Sequence, residues 1–277
     1  MNNNLLRLLT CCLIILGCEN FSKDQKKLLP TNEDTTLIPV REHSVLAVLW
    51  QQLSAEYRAL AYQSFNLAKY QLDEILLDNQ KREKPLAIIT DIDETVLDNS
   101  PYNAKMIELD EEYTKELWIE WGTEKKALPI PGALSFFKYA ESKGVEVFYI
   151  SNRFESQQAE TLENLKNVGF PYLDDTHILL KKESSEKESR RNKVEDTHKV
   201  IMLLGDNLSD FSMLFDGQST QKRNELADSL KAEFGKKFIV LPNPMYGDWE
   251  TKGLYEGSYD WTASQKDSIR KKKLESY

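Results

Sequence analysis

Apolar residues recur at helical spacing from position 45 to about 77: Leu46, Leu49, Trp50, Leu53, Tyr57, Leu60 and Ala61, then Phe65, Ala68, Leu72, Ile75 and Leu76. Side chains three and four apart share one helix face, so this stretch predicts one long or two consecutive amphipathic helices. A charged turn over 78–84 leads through Pro85 into Leu86-Ala87-Ile88-Ile89-Thr90. That run is short, rich in Ile and cut off by polar residues, the pattern of a fully buried parallel strand. Downstream, the stretches 145–150, 177–180, 200–204 and 238–241 read as strands. The stretches 133–143, stopped by Gly144, 156–167, stopped by Gly169, and 226–235 read as helices. Strands alternating with helices predict an α/β chain, a Rossmann-like parallel sheet flanked by helices on both faces. One insertion departs from the alternation. After Ser100-Pro101, the stretch 102–126 reads as mixed helix carrying Trp118 and Trp121, and Leu128-Pro129-Ile130-Pro131-Gly132 closes it. It falls between the first strand and the next core helix, so a small, mainly helical cap over about 99–130 is expected. The charged run 181–191 reads as a solvated helix face, and Arg270-Lys271-Lys272-Lys273 as an exposed helix end.

Composition changes this picture little, and charge adds a constraint. The 277 residues are 40% hydrophobic and 29% charged, ordinary for a globular protein. A net charge of −9 does not favour a nucleic-acid polymer as partner. An anionic substrate would need a local positive site made by a metal or by clustered Lys and Arg. The cysteines, Cys11, Cys12 and Cys18, all lie at the extreme N-terminus. The body therefore has no internal disulfide, thiol nucleophile or cysteine-bound zinc. The three histidines, His43, His177 and His198, are scattered and support a histidine-based site poorly. Arg7 precedes a short apolar run, 8–16, that has the shape of a secretory signal. Ile15-Leu16-Gly17-Cys18 resembles the lipobox of bacterial lipoproteins, in which Cys18 becomes the lipid-modified first residue. Glu19 at the next position favours the outer membrane, by resemblance to such lipoproteins. The expected organisation is a signal peptide over 1–18, a flexible tether over 19–38, a globular body over 39–265 and a charged tail over 266–277.

The polar residues at the strand ends carry the chemistry. Asp91 and Asp93 sit where the first strand runs out, Ser151-Asn152-Arg153 ends the second, Lys187 follows the third, and Asp206 and Asp210 follow the fourth. Parallel strands bring all their carboxyl ends to one edge, where ligands bind in open α/β sheets. Carboxylates gathered there would repel unless an oxygen-liganded Mg²⁺ lay between them. Lys187 and the Ser151 hydroxyl could then hold phosphate oxygens, which is how phosphoryl transfer is catalysed, by positioning and charge stabilisation.

Asp91-Ile-Asp93-Glu-Thr95-Val, Ser151, Lys187 and Gly205-Asp206-Asn-Leu-Ser-Asp210 resemble, in order, the four motifs of the haloacid dehalogenase superfamily. With Ile-Ser151-Asn-Arg and Asn243-Pro-Met-Tyr246-Gly-Asp-Trp, the chain looks like the bacterial class C acid phosphatases, the lipoprotein e family, over roughly residues 40 to 265. The resemblance implies a phosphomonoesterase that prefers nucleoside monophosphates. Asp91 would be the nucleophile, and Asp93 the general acid and then base. Asp91, the backbone carbonyl of Asp93, and Asp206 would bind Mg²⁺, with Asp210 in support. Ser151 and Lys187 would hold the phosphate, with Lys181 and Lys182 as other candidates for the lysine, and Asn152 would contact substrate. Trp118, with Trp121 as competitor, and Tyr246 would sandwich the base. One departure is Ser184, where the family often has a second lysine. Two other activities stay open at this point: phosphotransfer to an alcohol at the same site, and a surface lipoprotein that binds a ligand such as haem.

Overall fold

The structure is a computed structural model, and it describes residues 38–77 and 83–277. The signal, Cys18 and most of the tether lie outside the described residues, as does most of the turn before the first strand. Strand β1 (Leu86–Thr90) is buried at all five positions. It is the middle strand of a five-stranded sheet in which it pairs in parallel with β4 (Glu146–Phe154) and β6 (Lys199–Gly205). Strands β5 (Ile178–Lys181) and β7 (Phe238–Val240) complete the order β5-β4-β1-β6-β7, also by parallel pairing.

Both faces of this sheet are covered, which is why β1 is apolar without alternation. On one side Ile88, Val147, Tyr149 and Leu204 pack with Tyr57, Ala61, Phe65, Ala68 and Leu72 of helix α2 (Ala55–Leu77). Phe136, Phe137 and Ala140 of helix α5 (Ala133–Ser142) join the same cluster. The α2 residues are spaced four, four, three and four apart, one continuous helical stripe. On the other side Ala87, Ile89, Phe148, Ile150 and Leu203 pack with Phe211, Phe238 and Val194 of helix α7 (Glu188–Thr197). Gly144 follows α5 with φ +71°, the left-handed turn that lets the chain reverse into β4. Helix α1 (Val45–Leu53) precedes α2, so the predicted helical stretch is two helices.

The insertion consists of helices α3 (Ser100–Leu109) and α4 (Lys115–Glu124). Its two ends are tied by a small antiparallel pair, β2 (Leu97–Asp98) with β3 (Leu128–Pro129). Helix α6 (Gln158–Val168) lies between β4 and β5, and α8 (Thr220–Ser229) between β6 and β7.

Several sequence expectations are corrected. Strand β4 does not stop at residue 150 but runs through Ser151-Asn152-Arg153, with its register to β5 shifting there. The helix expected over 226–235 starts at Thr220 instead, because the Ser219 hydroxyl accepts from the Lys222 N–H and caps it. The charged run 181–191 is solvated only in part: residues 182–185 are exposed, whereas Lys187, Arg190 and Arg191 are buried. The boundary at 265 falls inside a helix, α9 (Ala263–Lys272), whose Lys266 pairs with Glu112 of the insertion. A π-helical segment, Trp249–Leu254, has no counterpart in the sequence reading. Among the described residues no helix is long and apolar enough to cross a membrane.

Candidate active site

Carboxylate oxygens of Asp91, Asp206 and Asp210 lie within 4.8 Å of one another at the carboxyl edge of the sheet. Asp91 is placed by β1: its N–H donates to the Leu204 carbonyl of β6 at 3.0 Å, one last ladder bond beyond the strand. Asp206 and Asp210 come from the turn after β6. There Gly205 lets the chain fold back so closely that a Cβ on it would stand 2.5 Å from Asp210. The Asn207 N–H donates to Asp210 Oδ2 at 3.0 Å, and Asn243 and Thr95 donate to Asp206 at 2.8 and 3.2 Å. Lys187 is buried among these acids. Its Nζ contacts Asp91 Oδ1 and lies 2.6 Å from Asp210 Oδ1.

Three carboxylates against one ammonium is an unbalanced cluster, and the acids respond. Burial pushes Asp91 well above the usual carboxylate range; Lys187 opposes the shift, and Asp210, Asp206 and Asp93 add to it. Asp206 is pushed up to about 8, by burial first and then by the charge of Asp210. For Lys187, burial alone would lower the pKa, but Asp210 and Asp91 outweigh it and raise the ammonium above its ordinary value. Three converging carboxylates, of which Asp91 and Asp206 resist ionisation, fit a hard divalent cation, which prefers oxygen ligands and reverses their mutual repulsion.

The carboxylate of Asp93 is engaged elsewhere. Its Oδ1 accepts from Arg153 Nη2 at 2.8 Å and Nε at 2.9 Å and from Asn99 Nδ2 at 2.8 Å, and its Oδ2 from the Ser151 hydroxyl at 3.2 Å. Ser151 is fully buried and takes the Arg153 N–H at 3.1 Å, so in this structure it holds Asp93. A cavity of about 640 Å³ opens over both acid groups. Asn152, Trp118 and Tyr246 line it, together with Lys181 and Arg41. Trp118 meets Tyr102 edge to face at 5.0 Å, with the Arg153 guanidinium 5.7 Å from its ring centre. Trp121 points its indole N–H at Asn99 Oδ1, 2.8 Å away, and packs against the core. Between the two tryptophans, the cavity has Trp118 on its wall. The other lysine candidates separate too. Lys181 sits 4.1 Å over the Phe154 ring, and Lys182 pairs with Glu155 at 2.8 Å.

A family described as HAD superfamily, subfamily IIIB (Acid phosphatase) matches residues 19–249. The chain belongs to this family. The class C acid phosphatase from Bacillus anthracis is 42% identical, with a TM-score of 0.82 over 87% of this chain and 100% of that one. A second structure of it, with tungstate bound, superposes equally well, with a TM-score of 0.82 at 41% identity. Among curated proteins, the stem 31 kDa glycoprotein of Glycine max is 29% identical over 161 residues, 56% of this chain and 57% of that protein. Acid phosphatase 1 of Solanum lycopersicum is 29% identical over 170 residues, 57% of each chain. The chain thus spans little more than half the length of these plant relatives.

In this subfamily IIIB chain, three arginines near the site have roles that the sequence reading did not assign, although Arg153 stands in the Ser151-Asn152-Arg153 string. Arg153 is the cation that holds Asp93. Arg190 donates through Nη1 to the Ser151 carbonyl at 2.6 Å and through Nη2 to Asn152 Oδ1 at 2.8 Å, fixing the end of β4. Arg191 donates to the carbonyls of Asp210 and Ser209 at 2.8 and 3.0 Å, fixing the turn after β6. Arg190 and Arg191 stand in a run of charges, where no local signal separates a buried arginine from a solvated one.

Proposed function

We propose that the protein is a Mg²⁺-dependent phosphomonoesterase that hydrolyses nucleoside monophosphates and other phosphomonoesters through an aspartyl-phosphate on Asp91. The observation that carries this reading is the cluster of Asp91, Asp206, Asp210 and Lys187 at the floor of a cavity with aromatic walls. Tungstate in the Bacillus anthracis protein supports it as well, because tungstate is a tetrahedral oxyanion like phosphate. Asp91, Asp206 and Asp210 would hold the cation, which supplies screening between a carboxylate nucleophile and the phosphate dianion. Lys187 steadies Asp91 and offers its ammonium to the phosphate oxygens. A carboxylate oxygen of Asp91 attacks phosphorus, and the bond from phosphorus to the leaving alkoxide breaks. Asp93, oriented by Arg153, Asn99 and Ser151, gives that alkoxide its proton. It then takes a proton from the water that cleaves the acyl phosphate and frees inorganic phosphate. Trp118 and Tyr246 offer stacking faces to a base, a sequence-tolerant contact that suits several nucleotides. The Ile15-Leu16-Gly17-Cys18 string supports a lipid anchor on Cys18, at the outer membrane of a bacterial envelope.

Replacing Asp91 with Asn tests the covalent route. Hydrolysis of both 4-nitrophenyl phosphate and AMP should fall by at least about a thousandfold, with the melting transition retained. Full activity in that variant would overturn the mechanism.

A further inference from the structure

Glu94 follows Asp93 directly, is fully buried and forms no part of the cavity wall. Its backbone has φ +59°, a left-handed conformation that a residue other than glycine keeps only where its surroundings hold it. What holds it is a set of three donors to its carboxyl group. Its Oε2 accepts from the Asn99 N–H at 3.0 Å and from Gln51 Nε2 at 3.1 Å. Its Oε1 accepts from the Tyr246 hydroxyl at 2.9 Å. Gln51 belongs to α1 and also donates to Asp98 Oδ1 at 2.8 Å, so the carboxylate is braced from the N-terminal helix.

Tyr246 is where this matters. It lies in the stretch between β7 and the π-helical segment, outside any helix or strand, yet its side chain is part of the cavity wall. It is held at both ends, its hydroxyl by Glu94 and its carbonyl by the Trp249 indole N–H at 3.2 Å. A ring on irregular backbone would otherwise lose rotamer freedom each time a ligand stacked on it, and a ring fixed beforehand does not.

We infer that Glu94 is the positioning residue of the stacking wall: by holding the Tyr246 hydroxyl it sets the pose of that ring and, through it, the preference for nucleoside monophosphates over small aryl phosphates. This rests on Trp118 and Tyr246 acting as a clamp for the base. Glu94 itself touches neither substrate nor the reacting atoms.

The test is selectivity, the ratio of kcat/KM for AMP to kcat/KM for 4-nitrophenyl phosphate, with full-length protein and Mg²⁺. Tyr246→Phe keeps the ring and removes the hydroxyl. The ratio should fall about three- to tenfold, mainly through a higher KM for AMP. In Glu94→Gln the amide oxygen goes to the two N–H donors of Asn99 and Gln51. Tyr246 then faces an NH₂ group, to which its hydroxyl can no longer donate. A smaller fall, about threefold, is expected. The double variant should fall no further than Tyr246→Phe alone, because both changes cut one link. Additive losses, or equal losses of kcat on both substrates, would overturn the inference and place Glu94 on Asp93 instead. If Glu94→Gln does not fold, Tyr246→Phe decides alone, and an unchanged ratio there is equally fatal. Tyr246→Ala separates this inference from the clamp on which it rests. If Tyr246→Ala leaves AMP selectivity intact, the clamp fails. If Tyr246→Ala lowers it while Tyr246→Phe does not, the clamp stands and the role of Glu94 fails.

Discussion

Asp206 shows at the scale of one residue how the site couples to pH. Buried beside Asp210, its carboxyl is pushed up to about 8, whereas an unfolded chain would ionise it near the ordinary carboxylate value. Between those two values the folded state holds a proton that the unfolded state has lost. The contribution of Asp206 to stability therefore declines as pH rises through that window and is flat above it. Asp91 is shifted in the same direction. A bound cation replaces the protons, so binding should release them and strengthen as pH rises toward 8. The rise in Tm on adding Mg²⁺ to EDTA-treated protein should accordingly be larger at pH 8 than at pH 5, and titrations in buffers of different ionisation enthalpy should show proton release. A Mg²⁺-induced shift that is the same at both pH values would contradict this. Thr95 and Asn243 hold Asp206, and Gly205 gives Asp210 its room, so one backbone turn serves both acids.

At the scale of elements, the site depends on how firmly α2 and α5 hold their side of the sheet. Phe65 of α2 is the hinge of that packing. Its ring lies 5.9 Å from Phe136 and 6.1 Å from Phe137, and it also meets Gly132, where a Cβ would come within 3.0 Å of it. Gly132 has φ +94° as well, so both conformation and space demand glycine there. Phe65→Ala should lower unfolding stability by about 3–5 kcal/mol through lost transfer energy and a residual cavity. Chemical denaturation would read this as a lower midpoint with little change in slope. A loss under about 1 kcal/mol would mean that the site collapses to fill the space. The elements also show where local pattern misleads. Strand β4 continues through Ser151, Asn152 and Arg153 because Arg190 ties the Ser151 carbonyl and the Asn152 side chain, and neither contact is written in the stretch itself. Helix α7 looks solvated by composition, yet Arg190 and Arg191 are buried, because the carbonyls they satisfy come from β4 and from the turn after β6.

On the scale of the whole molecule, the cavity draws on parts of the chain that are far apart in sequence. Arg41, from before α1, and Lys266, of α9, line it along with the insertion and the sheet edge. Lys266 pairs with Glu112, so the C-terminal helix closes against the insertion rather than trailing as a tail. The opposite end of the chain sets the protein's location in the proposed function. Labelling cells that make the full chain with a fatty acid should mark the protein, and Cys18→Ser should remove the label and release the protein from membranes. Retained label in Cys18→Ser would refute an anchor at that cysteine. The sequence by itself determined the α/β alternation, the central strand, the insertion and the order of the acid-bearing strand ends. These rest on local pattern: four apolar residues in a row closed by a Thr, turns at fixed places, and parallel strands that send every carboxyl end to one edge. Tertiary structure alone decided partners. Asp93 leaves the acid cluster for Arg153, 60 positions away, and Ser151 follows it there. Trp118 takes the cavity wall while Trp121 turns to Asn99, although both belong to one short helix. Glu94 becomes the seat of Tyr246 across 152 positions. A side chain's partner is set by what the fold brings within about 3 Å of it, and hydrogen bonds of that kind leave no periodicity to read.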